Sequence, residues 1–364
     1  MKDWAIGEKE LLVELHKKLG NIGLSWRDDC IIRQINPDLC IAYSIDSSRR
    51  WLSHNEGDDA VVFGKWVAST IVSDVIACGV TPCSLALDVG LGAFHGMEDT
   101  FRFFDGVLDV CREYGVSYEG GNLNRTKLVS GVSWGMAHPS QIISREGAQK
   151  DSVLLATAPI GVGWASELLR IWRKKRKEAD LSLPESFASF VTSYKQKSTI
   201  NLPAFQEIWK TNTIDCGMDL TDGILEFAYE IHDRTGLGII IDPDKVHPFV
   251  SFMAAQLKIS PVDIMLDPGY DTPLSHGWCI KKENLNAVVR ILCQHNVPYT
   301  IMGEVTDQVN GVFRKADNSF IELPRFWDDK CREADRFQMW EKSILPKGKL
   351  IFPREMNLDV SSDE

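Results

Sequence analysis

The chain lacks several of the signatures that most directly name a function. It has no C-x-x-C pair, no G-x-x-x-x-G-K-[ST], no G-x-G-x-x-G after a first strand and no H-E-x-x-H. P-loop, Rossmann and zincin chemistry therefore have no local support, and no α/β-hydrolase is read from the sequence. Uninterrupted apolar stretches are also missing: none approaches the roughly 20 residues a bilayer crossing needs. The start, Met1-Lys2-Asp3-Trp4, has no apolar signal core, so the expected location is the cytoplasm. Excess positive charge is absent too. Lys and Arg number 40 against 51 Asp and Glu, a formal net charge of −11, which argues against general attraction to nucleic acid or anionic lipid. The nine cysteines are odd in number and scattered, so neither a disulfide framework nor a zinc site is indicated; buried, reduced thiols are expected.

What is present is a globular composition, 44% hydrophobic and 25% charged over 364 residues, enough for two domains and a tail. Leu11, Leu12, Leu15 and Leu19 form one stripe of an opening helix over 7–19. Cys40 to Ile45 reads as a strand delivering Asp46 at its end. A helix follows from Phe63 to Cys78, then a strand over 84–89, a helix over 100–114, a strand over 116–119 and another near 128–138. Strands alternating with helices predict an α/β sheet architecture. The pattern restarts at Val153, placing a boundary near 145–152. The second half predicts helices at 164–177 and 283–295, strands at 216–220 and 238–242, and a helix opening at Asp222-Gly223. The expected division is 1–148, 149–312 and a loop-rich extension over 313–364 with Trp327 and Trp340 as anchors.

The chemistry-bearing feature is a set of aspartates at turns: Asp28-Asp29, Asp46, Asp74, Asp219 and Asp222. Mg²⁺ prefers hard oxygen donors, taking one or two carboxylates while bridging phosphates. Carboxylates that converge repel one another and so call for a cation. From spacing alone, exposed turn aspartates and helix caps remain the competing reading.

The order of these motifs resembles that of thiamine-monophosphate kinases, within the wider PurM-like family that includes aminoimidazole ribonucleotide synthetase and selenophosphate synthetase. Gly7-Glu-Lys-Glu-Leu11 resembles the opening G-E-x-E-L, Arg27-Asp28-Asp29-Cys30 stands at G-D-D-[AC], and Ser44-Ile45-Asp46 at S-T-D. Ser73-Asp74-Val-Ile-Ala-Cys-Gly79 matches S-D-x-A-A-M-G, and Glu119-Gly120-Gly121-Asn122 stands for G-G-D. Arg145 to Asp151 matches R-x-G-A-x-x-G-D, and Asp219-Leu-Thr-Asp222-Gly-Ile224 matches D-x-S-D-G-L. The matches run in unbroken order over about 7–312.

The resemblance implies two α/β domains, a homodimer formed through the N-terminal sheet as a barrel, and ATP with Mg²⁺ between the domains. On matching positions Asp28, Asp29, Asp46, Asp74, Asp219 and Asp222 would hold Mg²⁺, with Asp46 and Asp222 in catalytic roles. Gly120, Gly121, Asn122 and Arg145 would contact the nucleotide. Three departures stand out: Asn122 replaces an aspartate, Arg27 a glycine, and Ser47 to His54 does not reproduce E-G-x-H-F, part of the thiamine-phosphate pocket. The implied activity is phosphoryl transfer from ATP to a small metabolite, with thiamine monophosphate expected to be a poor acceptor because of the changed Ser47 to His54 stretch. ATP activation of an amide or carbonyl oxygen, or a nucleotide-binding regulatory protein without turnover, are the alternatives. Arg49, Arg50 and His54 are candidate contacts to an anionic acceptor. The run Arg170 to Lys177 has six positive residues in eight; it reads as a solvated helix end, a substrate lid or a polyanion contact. His138, His232, His247, His276 and His295 lack ligand spacing and read as core or surface.

Overall fold

The computed structural model describes residues 17–18, 28–49, 59–175, 183–196, 200–266, 275–316 and 319–323. Most of the opening helix, Gly7 to Leu11, Arg27, Arg50 to His54, the end of the basic run, Trp327 and Trp340 lie outside the described residues.

The first sheet has five strands: β1 (Ile31–Asn36), β2 (Leu39–Arg49), β3 (Pro82–Gly90), β4 (Ser117–Asn124) and β5 (Leu128–Ala137), in the order β1-β2-β5-β3-β4. All neighbours are antiparallel except β3 and β4, which the helix between them makes parallel. Helix α1 (Ala60–Ala77) and helix α2 (Met97–Tyr114) pack on one face of this sheet. Asp59 caps α1, its carboxylate accepting from the Val61 N–H at 3.0 Å. By composition α1 is apolar enough to cross a bilayer, but it is a core helix, with Phe63, Val67, Ile71 and Val75 fully buried. Each such side chain contributes roughly 1.5–3 kcal/mol by leaving water. The two helices approach closely because each sets a glycine against the other's main chain. A Cβ on Gly64 would lie 1.9 Å from the Phe103 carbonyl oxygen, and one on Gly106 would lie 2.0 Å from that of Val61.

The second sheet contains β6 (Ser152–Ala156), β7 (Ile214–Asp219), β8 (Gly238–Ile241), β9 (His276–Lys281), β10 (Thr300–Thr306), β11 (Val312–Ala316) and β12 (Ser319–Glu322), in the order β12-β11-β8-β10-β6-β9-β7. Its helices are α3 (Val162–Lys175), α4 (Glu185–Gln196), α5 (Leu202–Trp209), α6 (Ile224–Thr235), α7 (Pro248–Leu257), α8 (Pro261–Met265) and α9 (Leu285–Gln294). Two sheets and nine helices among the described residues make a mixed α/β fold. The two halves share apolar core: Phe205 meets Trp278 edge-on at 4.8 Å, in a cluster that also holds Phe63 and Phe103.

Several local expectations change. Asp46 is not at a strand end, because β2 runs on to Arg49 with Asp46 opposite Gly131 of β5. Gly120-Gly121-Asn122 lies inside β4, which runs on past the strand end expected at 119. The region past 313, expected to be loop-rich, adds strands β11 and β12, so the second sheet continues to Glu322. The sequence Gly131-Val-Ser133-Trp-Gly135 does spell G-x-S-x-G, yet it sits in mid-strand rather than at a strand-to-helix elbow. Ser133 is buried and donates to the Ser84 carbonyl at 3.0 Å, which leaves no exposed nucleophile. Of the eight described cysteines none is in a disulfide; Cys83 is half-buried, Cys293 is exposed and the rest are buried.

Candidate metal centre

Four separate segments meet where the two halves join. Asp74 lies on the last turn of α1, its carbonyl accepting from the Cys78 N–H at 3.2 Å. Asp219 ends β7, directly opposite His276 of β9. The segment 143–145 is stitched between these elements: the Ile143 N–H donates to the Cys78 carbonyl at 2.9 Å, and the Gly217 N–H to the Ser144 carbonyl at 3.0 Å. That places Ser144 and Arg145 against the bend at 28–30. The Asp28 carboxylate accepts from Ser144 Oγ at 3.0 and 3.2 Å and from the Arg145 N–H at 2.8 Å. Arg145 Nη2 donates to Asp29 Oδ1 at 2.5 Å.

Asp29, Asp74 and Asp219 each aim one carboxylate oxygen into a common point, these atoms lying within 4.8 Å of one another. Ser44 Oγ donates to Asp74 Oδ2, and Thr221 Oγ1 donates to Asp219 Oδ1 at 2.9 Å. Asp219 Oδ2 is buried without any hydrogen-bond partner, in a residue only 3% exposed. A buried carboxylate oxygen with nothing to bind is costly, and a cation is the partner its surroundings fit.

The electrostatics agree. Burial pushes the Asp29 carboxyl up to about 6, against the pull of Arg145, with Asp219 and Asp28 adding to the rise. Burial likewise pushes Asp219 up to about 6, opposed by hydroxyls of Thr221 and Ser73, with Asp222 raising it further. Asp74 is raised well above the usual carboxylate range, by burial first and then by Asp219, Asp29 and Asp46. Three buried carboxyls whose charges oppose one another are an arrangement that a cation would favour.

The structure thus brings Asp28, Asp29, Asp74, Asp219 and Arg145 together, with Asp46 near Asp74 and Asp222 near Asp219. Asp222 is not the cap of α6. That position is Gly223, which makes no side-chain cap bond. Gly120, Gly121 and Asn122 stand apart. Gly121 shares a row with Asp46 through Gly131 and Leu87, three strands away, about 14 Å at ordinary strand spacing. Gly121 has φ +148° and admits no Cβ, which would lie 1.7 Å from the Leu87 carbonyl oxygen. Asn122 and Asn124 both donate to Asp88 Oδ1, at 3.0 and 2.8 Å. The Arg145 guanidinium faces Asp29 and, at 3.7 Å, Glu230; its Nε finds no acceptor.

Sequence reasoning did not single out Ser144, Glu230 or Arg234, and it read His276 as core or surface. His276 is fully buried, its Nε2 3.5 Å from the Ser73 carbonyl oxygen. Glu230 and Arg234 carried one usable signal, their four-residue spacing on a helix.

This geometry accompanies a family match: residues 27–137 fit the description "AIR synthase related protein, N-terminal domain". Residues 27–137 thus belong to an AIR synthase related, PurM-like domain. Over 324 residues the chain is 26% identical to selenide, water dikinase of Caldanaerobacter subterraneus subsp. tengcongensis, covering 88% of each chain. It is 24% identical to thiamine-monophosphate kinase of Pyrococcus horikoshii over 262 residues, 72% of this chain and 76% of that one. The crystal structure of thiamine monophosphate kinase from Aquifex aeolicus shares the fold at TM-score 0.68 and 19% identity, covering 86% of this chain and 98% of that chain. A further fold neighbour, AaThiL complexed with AMPPCP and TMP, has TM-score 0.70 at 20% identity over 88% and 98%. The chain has the PurM-like fold, and relatives across most of its length are kinases by name.

Proposed function

We propose that this PurM-like protein is a Mg²⁺-dependent, ATP-using phosphotransferase acting on a small metabolite other than thiamine monophosphate. The observation that carries the reading is the convergence of Asp29, Asp74 and Asp219 on one point, with Asp219 Oδ2 left unpartnered. All three donors are hard oxygens, the ligand type Mg²⁺ selects. Asp46 and Asp222 would complete the cation's surroundings, and Asp28 holds the bend that presents Asp29. When bound, Mg²⁺ neutralises charge on the nucleotide phosphates. The protein's share is positioning. Ser44 orients Asp74, Thr221 orients Asp219, and Arg145 orients Asp29 and would supply a fixed positive charge to the bound nucleotide. Direct transfer to the acceptor oxygen needs no covalent protein intermediate, since phosphoryl transfer depends on alignment and charge neutralisation.

Two kinds of relative support ATP as the donor: the dikinase and kinase named above, and the neighbour that holds AMPPCP. Thiamine monophosphate is disfavoured as acceptor because Ser47 to His54 does not carry the E-G-x-H-F pattern. A homodimer is part of the same reading. Ile31, Ile45 and Met136 are exposed and share the sheet face away from α1, the face a second copy would cover. The deciding experiment is ADP release over a panel of phosphorylatable metabolites with thiamine monophosphate included. Turnover on thiamine monophosphate at ordinary metabolic rates, on the order of 1–10³ s⁻¹, overturns the substrate assignment. ATP binding without consumption on any acceptor favours a regulatory nucleotide-binding protein.

A further inference from the structure

Glu230 and Arg234 stand one turn apart on α6, and a solvent-facing pair at that spacing would add only about 0.2–0.5 kcal/mol. These two do not face solvent: their side chains are 14% and 6% exposed. Glu230 Oε2 accepts from Arg234 Nε at 3.1 Å and from Nη2 at 2.9 Å, and it also lies 3.7 Å from Arg145 Nη1. The same Arg145 guanidinium donates to Asp29. Arg234 Nη1 in turn stands 3.9 Å from Asp28 Oδ1 and 3.6 Å from Glu146 Oε1. One carboxylate from the second half of the chain therefore sits between two guanidinium groups, and both of those reach the Asp28-Asp29 bend.

This arrangement matters for a cation because a guanidinium and a metal compete for the same carboxylate. Arg145 shared between Asp29 and Glu230 leaves Asp29 part of its charge. Arg145 held by Asp29 alone would close a two-point ion pair and neutralise the ligand.

We propose that Glu230 is a positioning residue for the metal centre: by drawing on Arg145 it keeps Asp29 available to the cation that Asp29, Asp74 and Asp219 surround. The inference rests on the metal-centre reading given above. It differs from a purely structural ion pair in a measurable way, since a helix-stabilising pair would alter melting temperature and leave metal affinity alone. Partners that orient a metal ligand without touching the metal are worth 10- to 100-fold in affinity.

The test is a calorimetric titration of the full chain with Mn²⁺ alone, then with Mg²⁺ and AMPPCP, for wild type, Glu230→Gln, Glu146→Gln, Asp29→Asn and the Asp29→Asn/Glu230→Gln double variant. Glu230→Gln is expected to weaken Mn²⁺ binding about tenfold. Glu146→Gln, which removes the same charge from an exposed neighbour of Arg234, should change it less than about twofold. In the Asp29→Asn background the Glu230→Gln effect should vanish, because the residue acts through Asp29. Equal effects of the two glutamine variants, or a Glu230→Gln effect that persists without Asp29, overturn the proposal. Should Glu230→Gln not fold, Arg145→Lys keeps the cation and removes the fork; unchanged Mn²⁺ affinity there overturns it as well. Wild-type protein that binds Mn²⁺ but no AMPPCP refutes the phosphotransferase reading while the Glu230 comparison stands. Wild-type protein that binds no Mn²⁺ removes both.

Discussion

The hydroxyl of Ser44 donates a hydrogen bond to the Asp74 carboxylate, tying the middle of β2 to the last turn of α1. Asp46, two residues along the same face of β2, raises the energy of ionising Asp74. One strand thus supplies both the group that favours the Asp74 charge and a group that opposes it, and a bound cation would reverse the second effect.

Removing either carboxylate should show this directly. Asp74→Asn and Asp46→Asn are expected to weaken nucleotide binding at least tenfold in the presence of Mg²⁺, and wild-type affinity should collapse on addition of EDTA. Calorimetric titration with AMPPCP measures both. Equal wild-type affinity with and without chelator would remove the metal from the nucleotide's binding.

Acidity should matter for the metal-free protein. Asp29 and Asp219 are each pushed up to about 6, whereas an unfolded aspartate titrates near about 3.9. A carboxyl raised on folding binds protons more readily in the native state. Its contribution to stability is therefore complete below the unfolded value and is lost as pH rises through about 6. The melting temperature of wild type relative to Asp219→Asn should fall between pH 5 and pH 7.5, and Mg²⁺ should restore more of it at pH 7.5. A difference that stays flat across that range would contradict the electrostatic account.

Asp222→Asn separates folding from chemistry. Gly223 holds the cap position of α6, and Asn keeps the size and polarity of Asp222 beside it. The melting temperature without nucleotide should stay within about 1–2 °C, consistent with a stability change of a few tenths of a kcal/mol. Stabilisation by Mg²⁺ with AMPPCP should disappear. Wild-type response in both measurements would return Asp222 to a turn residue.

Ile45→Glu addresses assembly. Ile45 is 71% exposed on the outer face of the first sheet. If a second copy covers that face, a buried unpaired carboxylate there costs several kcal/mol and the protein should sediment as a monomer. An unchanged sedimentation coefficient, with wild type dimeric, would place the contact elsewhere.

Much of the first half was legible because its signals are local. The helix ending before Gly79, the strands around 84–89 and 128–138, and the Asp-containing turns all follow from periodicity and breakers within a few residues. Asp46 was misplaced at a strand end because nothing local stops β2: the partner that extends it, β5, lies more than eighty residues on. Helices α4, α5, α7 and α8 and strands β1, β9, β10, β11 and β12 went unread. Strand β9 is buried along almost its whole length, which erases alternation, whereas α4 keeps even Phe187, Phe190 and Val191 only half-buried. Within the site, the motif aspartates were visible through their order along the chain. Ser144, Glu230 and Arg234 were not, since their roles exist only once the 143–145 segment is threaded between α1 and β7.

The placement of Gly64 and Gly106 against the opposite helix bears on any attempt to make this protein more robust. Exchanging a helical glycine for alanine is a standard stabilising substitution, gaining up to about 1 kcal/mol from reduced freedom of the unfolded chain. Here each added methyl would strike the main chain of the opposite helix at about 2 Å. The helices would have to part, and α1 would carry Asp74 with it. Alanine at either position should therefore lower the melting temperature and also shift Asp74, which lies ten residues beyond Gly64 on the same helix.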